Sequence, residues 1–157
     1  MKSLILYTSK YGATQKAATR LKSCLANETD LINIKKANNL DLTEYKQIMI
    51  GGSIYMGKIQ KSIIEFCNKN YETLKDKKLG FFVCCGSKEK AEAQIRNSLD
   101  NKLLENAEAI GYFGYEYNLN KINFFYKLII KKVAGITKSQ SNIIEKNIEE
   151  FADKFNE

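Results

Sequence analysis

One junction near the amino terminus constrains the fold more than any other stretch. Leu4-Ile5-Leu6-Tyr7 is apolar at successive positions, then stops at Thr8-Ser9-Lys10-Tyr11-Gly12-Ala13-Thr14, where a helical pattern begins. A run apolar on both faces suits a strand covered on both sides in a parallel sheet, whereas a strand with one wet face would alternate. The loop carries hydroxyls at Thr8, Ser9 and Thr14, a cation at Lys10 and a turn residue at Gly12. Backbone N–H groups from Ser9 through Thr14 can converge beside a helix whose positive dipole end faces the same way, which is what a phosphate requires. Ser, Thr and Gly also cap helices that bind nothing, so this loop alone does not establish a ligand. It is neither a P-loop, lacking the Gly-Lys-Ser/Thr ending, nor a GxGxxG dinucleotide loop.

At 157 residues the chain suits one domain over residues 1–157, long enough to bury a core of several strands and helices. No apolar run approaches the roughly 20 residues of a membrane span, and Met1-Lys2-Ser3 leads straight toward the first strand, so a cytoplasmic protein without a signal peptide is expected. The four cysteines, Cys24, Cys67, Cys84 and Cys85, form no CxxC pair, and there is no histidine. That composition removes Ser-His-Asp and Cys-His catalysis and argues against a zinc enzyme. No metal site and no catalytic side chain are expected; in an enzyme of this composition a cofactor carries the chemistry. The net charge of +7 admits anionic partners. Much of the lysine is scattered along helices, so a nucleic-acid partner is not expected.

Strand and helix signals alternate along the chain. Strands are predicted at Ser3 to Tyr7, Leu31 to Ile34, Gln47 to Gly52, Leu79 to Cys84 and around Ala109 to Tyr115. Helices are predicted at Ala13 to Leu25 and Gln60 to Asn70, along Ala91, Ile95, Leu99 and Leu103 at four-residue steps, and along Ile144, Ile148, Phe151, Ala152 and Phe155. Right-handed crossovers then give an α/β doubly wound sandwich of three layers around a five-stranded parallel sheet and leave few strand orders, of which 2-1-3-4-5, a common order among doubly wound sheets, is expected here. In such a sheet ligands bind at the carboxyl ends of strands one and three, where the winding reverses.

Two further loops converge there. Ser53-Ile54-Tyr55-Met56-Gly57 suits a flat redox ring better than a sugar: Tyr55 and Met56 can cover an aromatic face, and Gly57 permits backbone conformations other residues resist. Cys85-Gly86-Ser87 can offer backbone donors to the edge of such a ring. Side chains alternate along a strand, so at most one of Cys84 and Cys85 is expected to face the ligand. Lys10, Lys58 and Lys88 accompany the three loops with no acid among them. Cations beside a redox ring stabilise its reduced anion and raise its potential.

The segment at about 117–138 is set apart by charge. Between Tyr117 and Ile144 no acidic residue occurs, while Lys121, Lys127, Lys131, Lys132 and Lys138 do. As a helix, the stretch would place Ile122, Phe125, Ile129 and Val133 on one side and Lys127 and Lys131 on another. A basic amphipathic helix with aromatics can lie on an anionic membrane surface or dock a partner through Lys121, Phe125, Lys127, Lys131 and Lys132. It can equally pack on the sheet with its lysines solvated.

In spacing, Ser9 to Thr14 resembles the phosphate loop of flavodoxins, which hold flavin mononucleotide (FMN). Met56-Gly57 resembles the pair whose peptide carbonyl turns toward flavin N5 when that atom gains a proton. With Ile50-Gly51-Gly52-Ser53-Ile54 and Asn123-Phe124-Phe125-Tyr126-Lys127-Leu128-Ile129-Ile130-Lys131, the chain is similar to flavodoxin-type, menaquinone-dependent protoporphyrinogen oxidases. That resemblance implies bound FMN, oxidation of a porphyrinogen, electrons leaving through N5 to a quinone, and peripheral contact with the inner face of the cell membrane. Two other readings stay open: a soluble electron carrier serving a redox partner protein without its own substrate, and a flavin-free domain using its basic surface.

Overall fold

The computed structural model describes residues 2–157. The chain runs β1 (Ser3–Tyr7), α1 (Ala13–Cys24), β2 (Thr29–Asn33), β3 (Gln47–Tyr55), β4 (Lys58–Ile59), α2 (Lys61–Lys69), α3 (Tyr71–Leu74) and β5 (Lys78–Cys84). It continues through α4 (Lys88–Arg96), α5 (Asn101–Glu105), β6 (Ala107–Tyr112), β7 (Gly114–Tyr117), α6 (Phe124–Ala134), β8 (Gln140–Ile143) and α7 (Glu145–Asn156). Strands β2-β1-β3-β5-β6 lie side by side in that order and all pair in parallel. Counted over the parallel strands alone, this is the expected order 2-1-3-4-5. The short β4 folds back antiparallel on β3, and β7 pairs with β8 in a separate ribbon.

Alternation along the strands builds two apolar layers. Leu4 and Leu6 of β1, Ile48 and Ile50 of β3, and Leu79, Phe81 and Val83 of β5 face one way, where α2 contributes Ile63 and Cys67 and α4 contributes Ala91 and Ile95. Ile5, Met49, Phe82 and Cys84 face the other way, against Ala17, Ala18 and Leu21 of α1 and Ile148, Phe151 and Phe155 of α7. Every strand must satisfy both layers, so their register is fixed from both sides. At the amino-terminal end of the sheet, the Ser3 hydroxyl donates to Gln47 Oε1 at 3.0 Å, and Gln47 Nε2 donates to the Phe155 carbonyl at 3.0 Å. These buried polar groups tie β1, β3 and α7 together and leave one another satisfied.

Several elements differ from the sequence expectation for identifiable reasons. Helix α1 stops at Cys24, and β2 begins at Thr29 and ends at Asn33, whose side chain accepts the Lys35 N–H at 3.0 Å and turns Ile34 out of the strand. The four-residue steps from Ala91 to Leu103 are not one helix. Each such step overshoots a full turn by about 40°, so a straight helix would carry Leu103 off the buried face. The chain breaks after Arg96 and restarts at Asp100, whose carboxylate caps Lys102 N–H at 2.8 Å, and all four apolar residues stay buried. The fifth strand likewise divides at Phe113, because Gly114 (φ +87°) turns the chain into the ribbon with β8.

Gly51 shows how tightly the central strand is packed: a Cβ there would lie 2.0 Å from the ring of the fully buried Phe82. Gly51→Ala is expected to cost about 3 kcal/mol through overpacking, read as a fall in the urea midpoint. Adding Phe82→Leu should recover part of that loss in a double-mutant cycle.

Candidate functional site

The carboxyl ends of β1 and β3 flank the point where the chain, having wound one way to β2, returns and winds the other. The Thr8 N–H donates to the Gly51 carbonyl at 3.0 Å, fastening the loop after β1 to β3. Beyond it the Ser9 hydroxyl accepts the Gly12 N–H at 3.0 Å, and Gly12 takes up φ +103°, which a side chain would resist. The Gly12 carbonyl receives Lys16 N–H at 3.0 Å as the first turn of α1 closes. No side chain caps this helix, so the N–H groups of Ala13, Thr14 and Gln15 lack intrahelical acceptors. Of the amides from Ser9 to Thr14, Gly12's is therefore spent inside the loop.

The hydroxyl of Thr14 is the anomaly of this loop. Thr14 is fully buried, and its Oγ1 has no hydrogen-bond partner. The Cys84 thiol is near enough to feel the hydroxyl, but no hydrogen bond of ordinary geometry joins them. A buried hydroxyl left unpaired costs roughly 1–3 kcal/mol. It lies in the first turn of a helix that also offers free N–H groups, and the combination fits an anionic oxygen.

Next to this cradle three tyrosines from three elements meet. Tyr126 of α6 stacks on Tyr11, with centroids 5.5 Å apart and rings 12° from parallel, and tilts against Tyr55 of β3 at 4.6 Å. Lys10 Nζ sits 3.7 Å from the Tyr55 ring centre. Burial works against the Lys10 cation, but the Tyr55 and Tyr11 phenols outweigh it and hold its pKa above the ordinary lysine value. Burial, aided by the neighbouring Tyr117, Tyr55 and Tyr11, pushes Tyr126 up to about 12, so it stays a neutral phenol. The cleft between these groups is narrow, with a cavity volume of about 50 Å³, and its walls include Tyr115, Glu116 and Tyr117 of β7.

Of the residues singled out from sequence, Ser9, Lys10, Tyr11, Ala13, Thr14, Ser53, Ile54, Tyr55 and Cys85 border this cleft. Gly12, Met56, Gly57, Gly86 and Ser87 do not form its wall. The second loop is an extension of β3 ending in a two-residue hairpin, because Met56 (φ +51°) and Gly57 (φ +80°) both take left-handed backbone while Tyr55 pairs with Lys58. Met56 is 70% exposed and covers nothing. Ser53 is held by Gln60, whose Oε1 accepts the Ser53 N–H at 2.8 Å and whose Nε2 donates to Ser53 Oγ at 2.9 Å.

In the third loop the Cys85 N–H already donates to Gly114 at 2.9 Å, so only Gly86 and Ser87 can offer backbone donors of the three expected. The Tyr117 hydroxyl lies where a Cβ on Gly86 would be, 2.4 Å from it. Cys84 and Cys85 both border the cleft, although they pack into opposite layers, which departs from the expectation of one. Burial pushes Cys84 up to about 12 and raises Cys85 as well, so neither is a ready thiolate. The electrostatics differ too. Lys58 and Lys88 lie off the cleft, whereas Glu116 borders it, paired with Lys16 at 3.1 Å.

The basic segment forms helix α6, and of the stripe named from sequence only Ile122 is buried. Ile122 and Ile130 are buried and Tyr126 points into the cleft, while Phe125 is 77% and Val133 81% exposed, with Phe124, Leu128 and Ile129 beside them. Lys121, Lys131 and Lys132 are exposed and Lys127 is half-buried. The helix begins at Asn123, whose Oδ1 accepts the Tyr126 N–H at 2.8 Å, and ends at Gly135 in left-handed backbone. Tyr115, Glu116, Tyr117 and Tyr126 were not identifiable as cleft residues from sequence, since none lies in the three loops after the central strands. The only signal was the density of tyrosine flanking the basic segment.

A flavodoxin domain family matches residues 4–143. Over 170 residues the chain is 26% identical to the protoporphyrinogen IX dehydrogenase [quinone] of Escherichia coli K12, covering 98% of this chain and 92% of that protein. Its identity to the Leishmania major protein of the same name is 23%, over 90% of this chain but only 65% of the Leishmania protein's length. A crystallised Lactobacillus acidophilus flavoprotein in complex with FMN shares the fold, with a TM-score of 0.51, 17% identity, and coverage of 73% of this chain and 91% of that one. The family match and the anion-fitting cradle at Thr14 support FMN as the cofactor. The chain belongs to the flavodoxin domain family.

Proposed function

We propose that this protein is an FMN oxidoreductase that takes electrons from a porphyrinogen-like substrate and passes them to a quinone at an anionic membrane surface. One observation carries the reading: the helix added to the flavodoxin framework, α6, has its inner residue Tyr126 at the cleft and an outer face of Phe124, Phe125, Leu128 and Val133 in solvent. A monomeric protein seldom leaves so many large apolar side chains together on one helix without something to cover them. Lys131 and Lys132 flank that face, as suits an interfacial helix. The relatives named protoporphyrinogen IX dehydrogenase [quinone] support a porphyrinogen as donor and a quinone as acceptor.

The residues would divide the work as follows. The Thr14 hydroxyl and the free N–H groups of Ala13, Thr14 and Gln15 would hold the phosphate, and Tyr55, Tyr11 and Tyr126 would wall the ring. Gly86 and Ser87 remain available to its polar edge, and the Met56-Gly57 peptide to the N5 side. When bound, the flavin would supply the two-electron chemistry. The packed tyrosines would shield the ring from water, and Lys10, over the Tyr55 ring, would hold positive charge beside it. Among the described residues no helix is long and apolar enough to cross a membrane, so contact would be peripheral.

Three outcomes are expected. Thr14→Val should leave the flavin-free protein as stable or up to about 1 kcal/mol more stable, because an unpaired buried hydroxyl is removed, while weakening FMN binding roughly tenfold. Fluorescence quenching and thermal unfolding read the two effects, which have opposite signs. The FMN-loaded protein should oxidise protoporphyrinogen with a menaquinone analogue as acceptor; turnover only with a flavodoxin reductase would establish the electron carrier instead. Binding to phosphatidylglycerol vesicles should weaken roughly a hundredfold in Lys127→Gln/Lys131→Gln/Lys132→Gln, at about 1 kcal/mol for each charge. Unchanged cosedimentation would remove the membrane from the reading.

A further inference from the structure

Lys121 stands at the root of the added segment, yet it reaches the loop after β1. Its Nζ lies 3.9 Å from where a Cβ on Gly12 would be, over the one position in that loop that has no side chain. The root is held in place: Lys121 N–H donates to the Asn118 carbonyl at 2.9 Å, the next residue, Ile122, is buried, and Asn123 Nδ2 reaches Tyr11 Oη at a long 3.5 Å. Among the described residues no carboxylate lies within ion-pair distance of Lys121, while Glu116, the acid bordering the cleft, is already paired with Lys16. An unpaired cation thus hangs beside a helix amino terminus whose first turn buries the unpartnered Thr14 hydroxyl.

We propose that Lys121 is a phosphate-binding residue, so that the nucleotide's monophosphate fastens the added segment to the β1–α1 loop and its binding clamps α6, through Tyr126, over the cleft. The inference rests on the FMN reading and extends it from the framework loop to the added segment. A dianionic monoester that meets only neutral hydroxyls and amides keeps its full charge; an ammonium above the loop partly neutralises it. Because Lys121 and Tyr126 are five residues apart with Ile122 buried between them, an anchor at Lys121 restrains the start of α6 as well.

Riboflavin, which has the ring without the phosphate, separates this from a general effect on the cleft. Wild type, Lys121→Met and Lys121→Arg would each be titrated with FMN and with riboflavin by flavin fluorescence quenching at two salt concentrations. In Lys121→Met the FMN dissociation constant should rise about tenfold with a shallower salt dependence, the riboflavin constant should stay within twofold, and Lys121→Arg should retain most of the FMN affinity. Limited trypsin digestion gives a second readout: FMN should protect the bonds after Lys127, Lys131 and Lys132 in wild type more than riboflavin does, and Lys121→Met should erase that difference. Equal loss of both flavins, or no loss of either, would overturn the assignment of Lys121 while leaving FMN binding intact. A wild-type protein that binds neither flavin would instead defeat the FMN reading, and the inference with it.

Discussion

A hydroxyl sealed inside a protein without a partner works against folding, and Thr14 Oγ1 is in that position. The rest of the site is arranged around the conditions that put it there. Strand β1 is covered on both faces and so delivers its carboxyl end to the middle of the sheet, where β3 and β5 hold it on one side and β2 on the other. Gly12 then turns the chain so that α1 begins with its N–H groups uncapped. Two unfavourable features, the lone hydroxyl and the bare helix start, fall within one turn of each other, and a single anion would answer both. Sites that forfeit stability in this way are where binding energy is collected.

The sheet tolerates this because its other polar demands are met elsewhere. Ser3, Gln47 and the Phe155 carbonyl satisfy one another at the opposite end, and Gln60 satisfies Ser53 beside the cleft. The central strands are left free of competing polar groups, and close packing such as that of Phe82 over Gly51 keeps their ends from shifting.

How much of this could be read from the sequence follows from the range of the forces involved. The apolar runs at Leu4–Tyr7 and Leu79–Cys84 report burial on both faces directly, and with the alternation of strands and helices they point to a doubly wound parallel sheet and to the loop at Ser9 to Thr14 at its switch point. Element ends were less legible, because they depend on single hydrogen bonds such as Asn33 to Lys35 and Asp100 to Lys102. The hairpin at Met56-Gly57 was hidden because methionine rarely takes positive φ; only the paired Tyr55 and Lys58 make the turn evident. The sequence leaves the orientation of α6 open. Spacing groups Ile122 with Phe125, Ile129 and Val133, and the tyrosine contacts at Tyr11 and Tyr55 draw Tyr126 inward and leave Phe125, Ile129 and Val133 toward solvent while Ile122 stays buried. Glu116 entered the cleft through a ribbon whose partner strand, Gln140–Ile143, carries no alternating pattern at all.

That ribbon has a consequence for how the molecule can diversify. Strands β7 and β8 run antiparallel, and the Leu119 N–H donates to Ser139 Oγ at 2.9 Å, so the points of departure and return of the intervening segment meet. The segment is stitched shut at its base like a cassette, and lengthening or recomposing it adds only the slowly growing entropy of a larger closed loop. Its outward surface can therefore be rewritten for new encounters while the five-stranded frame beneath keeps its geometry.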